Sequence, residues 1–199
     1  MEAIFATAAT AAGLFAGTNI DDMVVLAVLN ASSRADGRPA AWQIWAGQYA
    51  GIAALVAISL LAAFGLSLVP ESWLWILGLI PLGLGLRKLV IAIRAHRAGQ
   101  QASPAVATGL TGVIGITIAN GGDNLAAYTP VFRTMSGNHI AVTIAVFVIG
   151  VVLWCLAGFW LVSHHKITEV IERWGQWIVP AVYILIGLYI FQREGILGF

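Results

Sequence analysis

Long apolar stretches constrain this sequence more than any other feature. Apolar residues make up 60% of its 199 residues and only 10% are charged, against roughly 25% in an average soluble domain. So few charges cannot cover a soluble core, and so much hydrophobicity excludes disorder. Since a transmembrane helix needs about 20 mostly apolar residues, we predict an all-α integral membrane protein with six transmembrane helices. The predicted segments are about 3–30, 41–67, 72–94, 107–133, 139–163 and 173–192.

The composition also excludes several function classes. A formal net charge of +1 provides no basic surface for nucleic acid, and one cysteine excludes a disulfide framework. The chain carries no Gly-rich loop followed by Lys and Ser/Thr, so an ATP-driven pump within this chain is excluded. The first apolar segment has acidic Glu2 before it and no basic residues, so we interpret it as a retained span rather than a signal peptide.

The Lys and Arg residues predict the orientation in the membrane. Cytoplasmic loops carry an excess of these residues, and eight of the ten lie on one side of the predicted spans. We therefore predict a multi-pass protein of the cell (plasma) membrane with both termini outside the cytoplasm. The eight are Arg34, Arg38, Arg87, Lys88, Arg94, Arg97, Lys166 and Arg173.

Two polar motifs suggest an internal repeat. Asn19 and Asn120 are 101 residues apart, and Asp22 and Asp123 have the same separation. Because each half would contain an odd number of spans, the second half must be inverted, which is typical of transporters. Chance similarity between two apolar helices is the alternative. The predicted units are a three-helix repeat at 1–94, a cytoplasmic loop at 95–106 and an inverted three-helix repeat at 107–199.

The first helix of each repeat is predicted to be interrupted at mid-membrane. Each of the two segments has about 27 residues, or roughly 40 Å of helix, which exceeds the apolar core of about 30 Å and suits a tilted or broken helix. Glycines favour unwinding, and prolines 99 residues apart occur in the third and sixth segments. The predicted break or hinge residues are Gly121, Gly122, Pro81 and Pro180.

Three aspartates fall near the middle of these two segments. An unpaired Asp at the bilayer centre costs at least about 2.5 kcal/mol, and we place no Lys, Arg or His at the same depth. Neighbouring asparagines add amide oxygens, and converging oxygens with negative charge favour a divalent cation. The alternative is that these side chains only hydrogen-bond across helices. The predicted metal ligands are Asp21, Asp22, Asp123, Asn19, Asn120 and Asn124.

Some assignments within this site stay open. On an ideal helix Asp21 and Asp22 point about 100° apart, so the sequence does not decide which of them coordinates. Further polar residues are candidates for the site lining, namely Thr18, Gln48, Tyr49 and Tyr128.

The polar motifs resemble those of cadmium resistance transporters of the CadD type, in the lysine-exporter superfamily. The resemblance rests on 18–22, 47–49, 78–85, 120–124 and 128–130, and covers nearly the whole chain in motif order. It implies six spans in inverted repeats and export of Cd²⁺, with Zn²⁺ or Mn²⁺ as further substrates. No cofactor other than the transported cation is expected.

The mechanism expected is alternating access with protons competing for the carboxylates. The expected partners are the lipid bilayer, a divalent cation and protons, with a homodimer also compatible with the small-residue helix faces. Oxygen ligands suit harder ions than Cd²⁺, so an exporter of Mn²⁺ or of an amino acid remains an alternative. Two further alternatives are an intramembrane enzyme that uses the paired aspartates and a non-transporting membrane scaffold or sensor.

Overall fold

The structure of the chain is a computed structural model that describes residues 2–65, 76–98 and 107–164, with 177, 180–181, 184–188 and 192 in the last segment. These ranges contain helices and no strand, as predicted. The predicted sixth span and the 95–106 loop lie largely outside the described residues. The helices are α1 Glu2–Asn19, α2 Asp22–Asp36, α3 Ala41–Gly65, α4 Ile76–Ala98, α5 Leu110–Asn120, α6 Gly122–Thr134 and α7 Gly137–Leu161.

Both predicted helix interruptions are present. The first segment breaks at Ile20 and Asp21, where Ile4–Asn19 and Asp22–Asp36 meet with a bend of 62°. The fourth segment breaks at Gly121, between α5 and α6.

Pro81 lies within continuous helix α4, so the break predicted as one of its two roles is absent, and its role as a hinge stays a prediction. A proline removes one hydrogen bond to the residue four positions earlier. The affected carbonyl belongs to Leu77, and the helical backbone continues past Pro81 to Ala98. Pro180 is buried within helical backbone.

Two of the described helices, α3 and α7, are long and apolar enough to cross a membrane. The bent pair of α1 and α2 makes a third span if its two parts are counted together. These spans support a membrane protein, while α5 is a shorter apolar helix.

Helices from the first half of the chain pack against helices from the second half. Helix α3 lies along α5 and α6, while α7 lies along α1 and α2. Glycines permit both approaches, because a Cβ at Gly51 would lie 2.5 Å from Thr117 and one at Gly158 would lie 2.6 Å from Leu26. Each broken helix pair is therefore held by an unbroken helix from the other half of the chain.

Candidate functional site

The first helix break is fixed around Asn19, the last residue of α1. Its side-chain Nδ2 donates to the Phe15 carbonyl at 2.8 Å and lies 3.0 Å from the Tyr128 hydroxyl in α6. The Asn19 backbone carbonyl, which the break leaves without a partner within α1, accepts a hydrogen bond of 2.7 Å from Trp154 Nε1 in α7. Side chains from two other helices thus hold this break.

The second helix break is fixed by close packing. Gly121 separates α5 from α6 with φ −75° and ψ 5°, a conformation open to residues other than glycine. A Cβ at this position would collide with the fully buried Leu55 side chain of α3. Glycine is therefore needed here for space, whereas the sequence analysis expected it for conformational freedom.

The two breaks contact each other through side chains. Asn124 Nδ2, in the first turn of α6, donates to Asn19 Oδ1 at 2.9 Å. Asn120 Nδ2, at the end of α5, donates to Asp22 Oδ1 at 3.0 Å, in the first turn of α2. The asparagine that ends the helix before one break therefore contacts the first turn of the helix after the other break.

One of the residues in these contacts has a buried amide oxygen without a partner in the described part of the chain. Asn19 and Asn124 are each 1% exposed, and Asp22 is 4% exposed. The Oδ1 atom of Asn124 is buried and has no hydrogen-bond partner among the described residues. An oxygen in this condition costs free energy unless something binds it, and a cation is one group that can do so.

The other polar side chains of the two motifs, two carboxylates and one amide, are less buried than Asp22. The Asp21 side chain is 43% exposed and that of Asp123 15%, while Asn120 is exposed. Asp22 is thus the more buried of the two neighbouring aspartates, and which of them coordinates a metal stays open.

Lys88 of α4 contacts two of these carboxylates, so the prediction that no base reaches them is wrong. Its Nζ lies 3.5 Å from Asp21 Oδ2 and forms an ion pair with Asp123 Oδ2. Lys88 was predicted to lie on the cytoplasmic side with the loop residues, but it lies well inside α4, which continues to Ala98. A lysine carries its charge on a long stem, so its depth does not follow from its position alone. The sequence contained one indication of this depth, since Lys88 lies six residues inside the predicted end of the third segment.

The structure also places the predicted lining residues. Thr18 Oγ1 is 3.1 Å from the Tyr128 hydroxyl, so both join the contacts around Asn19. Gln48 is buried in α3. The Tyr49 hydroxyl donates to the Val148 carbonyl at 3.1 Å, in α7. No group of three or more His, Cys, Asp or Glu side chains is placed to hold a metal ion within the described ranges.

The arrangement brings carboxylate and amide groups of the two helix breaks into contact. A family model described as "Cadmium resistance transporter" matches residues 15–198. No curated protein and no solved structure matches the chain.

Proposed function

The chain belongs to the cadmium resistance transporter family, and we propose that it exports divalent cations, Cd²⁺ foremost, from the cytoplasm. The match confirms the resemblance predicted from the polar motifs. A transporter family and the apolar helices α3 and α7 together indicate a membrane protein. The direction of transport and the substrate are part of the proposal.

The observation that carries the proposal is the meeting of the two helix breaks. Asn19–Asn124 and Asp22–Asn120 contacts bring oxygen-bearing side chains together from both broken helices, and Asn124 Oδ1 is buried without a partner in the described part of the chain. Carboxylate and amide oxygens are the ligands of hard divalent cations, and the choice of Cd²⁺ rests on the family match. The proposed ligands are Asp21, Asp22, Asp123, Asn19, Asn120 and Asn124.

The proposed architecture is six spans in two inverted repeats, at 1–94 and 107–199, with both termini outside the cytoplasm. Its support is the exchange of partners between halves, in which α3 packs on α5 and α6 and α7 packs on α1 and α2. In such transporters the substrate lies where the repeats meet, and access alternates as one repeat moves against the other. We propose an ion gradient as the energy source, with the proton as coupling ion.

Flux through reconstituted vesicles tests this function. Purified protein in liposomes loaded with Cd²⁺ should release the ion faster than protein-free liposomes. Asp22→Asn should abolish the release, because it removes the most buried carboxylate of the site. Asp36→Asn is the matched control, since Asp36 is an exposed aspartate at the other end of the same helix. Equal release by Asp22→Asn and wild type would refute the site.

A thermal-shift titration separates the possible substrates. A ligand that binds the folded state stabilises it by RT ln(1 + [L]/Kd). Cd²⁺, Zn²⁺, Mn²⁺, Mg²⁺ and free lysine should therefore be added in turn to the purified protein. Cd²⁺ should give the largest shift, and the shift should be smaller in Asp22→Asn. A shift with lysine and none with any metal would identify an amino-acid exporter instead.

A further inference from the structure

Lys88 links the two helix breaks through one ammonium group. Asp21 precedes α2 at the first break and Asp123 lies in the first turn of α6 at the second. The ammonium contacts an oxygen of each. Lys88 itself comes from α4, which packs against α6. A third helix thus places a positive charge on two carboxylates of the proposed transport site.

This placement puts the ammonium in competition with a transported ion. Two cations within a few ångströms repel each other strongly in an environment of low dielectric constant. A divalent ion that used oxygens of both Asp21 and Asp123 would require the ammonium to leave them. Lys88 has the means to do so, because its stem is flexible and 29% of its side chain is exposed.

We propose that Lys88 is a tethered counter-cation of the transport cycle. Its ammonium holds Asp21 and Asp123 when no metal is bound, withdraws when a divalent cation binds, and returns as that cation leaves. This inference rests on the proposed function. Carboxylates without a counter-charge are costly within a membrane, so the lysine would neutralise Asp21 and Asp123 while the metal-free transporter reorients, and would weaken metal binding enough for release.

Metal affinity gives the first test. Isothermal titration with Cd²⁺ should show a Kd at least about tenfold lower for Lys88→Met than for wild type, because the competing charge is removed. Lys88→Arg should raise the Kd, since a guanidinium holds carboxylates more firmly than an ammonium. Arg87→Met is the matched control, because Arg87 is the exposed neighbour on the same helix, and its Kd should stay within about twofold of wild type.

Two transport assays give the second test. Net efflux requires the empty transporter to return, whereas exchange of labelled for unlabelled Cd²⁺ across the vesicle membrane does not. Lys88→Met should therefore lose net efflux and keep exchange, while Arg87→Met keeps both. A structural role for Lys88 would reduce both activities together.

The outcomes separate this inference from the function on which it rests. If wild type neither binds nor transports any of the divalent cations, the proposed function is wrong and the inference falls with it. If wild type transports Cd²⁺ but Lys88→Met shows unchanged or weaker binding, or normal net efflux, only the inference is overturned. Should Lys88→Met fail to fold, Lys88→Arg decides, because a Kd equal to or lower than that of wild type contradicts competition.

Discussion

The two helix breaks have a similar arrangement of residues but are stabilised by different interactions, hydrogen bonds at the first and close packing at the second. Asn19 ends α1 and Asn120 ends α5, and each reaches the first turn of the helix beyond the other break. Asn19 is buried and surrounded by hydrogen-bond partners, whereas Asn120 is exposed. The second break relies instead on Gly121 lying against Leu55. The first break should therefore be sensitive to lost donors, and the second to added volume.

The difference also concerns charge. The first motif carries Asp21 and Asp22, and the second carries one aspartate, Asp123, followed by an asparagine. The contact between Asp22 and Asn120 is the place where a carboxylate of one break faces an amide of the other. If both breaks bind the same cation, moving the carboxylate from position 22 to position 120 should preserve the binding of that cation.

The largest expected effect comes from moving that charge. Asp22→Asn should weaken Cd²⁺ binding by about a hundredfold, or about 2.8 kcal/mol at 1.4 kcal/mol per tenfold, because a proposed ligand loses its charge. The double variant Asp22→Asn with Asn120→Asp restores one carboxylate and one amide, and should recover most of the affinity. Isothermal titration with Cd²⁺ measures both. A double variant no better than the single one would show that the two breaks do not share a cation.

The sequence was sufficient to locate both breaks. The two segments are longer than the apolar core and carry polar motifs of Asn, Asp and Gly near their middle, which predicted an interruption there, and the helices do end at Asn19 and Asn120. The same motifs predicted that Thr18 and Tyr128 would lie by the site, since both occur within two turns of the acidic residues. Local chemistry decides these features.

The residues that sequence reasoning missed come from helices far along the chain. Trp154 binds a carbonyl 135 residues away, and nothing in its local sequence marks that partner. Lys88 was misplaced because its partners, Asp21 and Asp123, lie on other helices and its own sequence does not show that its side chain reaches them. Leu55 explains Gly121 only once α3 is packed against the break. The partners of these residues depend on how distant helices pack together, which the local sequence does not show.

Removal of the terminal asparagines compares the breaks directly. Asn19→Ala should lower the free energy of unfolding by about 2–4 kcal/mol. It leaves the buried Asn124 amide without its partner, at about 1–3 kcal/mol, and it removes one hydrogen bond, worth about 1 kcal/mol, from the Tyr128 hydroxyl, which keeps Thr18. Asn120→Ala should cost less, about 1–3 kcal/mol, because only one buried group, the Asp22 carboxylate, loses a partner. Denaturant unfolding in detergent micelles gives both values. Equal losses would contradict the view that hydrogen bonds hold the first break more than the second.

Added volume should affect the second break. Gly121→Ala should lower the free energy of unfolding by about 1–3 kcal/mol, the cost of overpacking, because its Cβ meets Leu55. Gly122→Ala is the matched control, since a Cβ there meets nothing within 4 Å, and it should cause no loss. Leu55→Ala combined with Gly121→Ala should recover part of the stability when measured against Leu55→Ala alone. A loss at Gly122 as large as that at Gly121 would point to the backbone rather than to packing.

The smallest effect is expected from the bond that completes the first break. Trp154→Phe keeps an aromatic ring beside Phe15 but removes the N–H that binds the Asn19 carbonyl, and should cost about 1 kcal/mol. Trp160→Phe, at a half-exposed tryptophan of the same helix, should stay within about 0.5 kcal/mol of wild type. Hydrogen exchange gives the local readout: the Val24 amide, which bonds to Asp21 at the first break, should exchange faster, and the Leu125 amide, which bonds to Gly121 at the second, should not. Faster exchange at both amides would mean that Trp154 supports the packing of the whole protein rather than the first break.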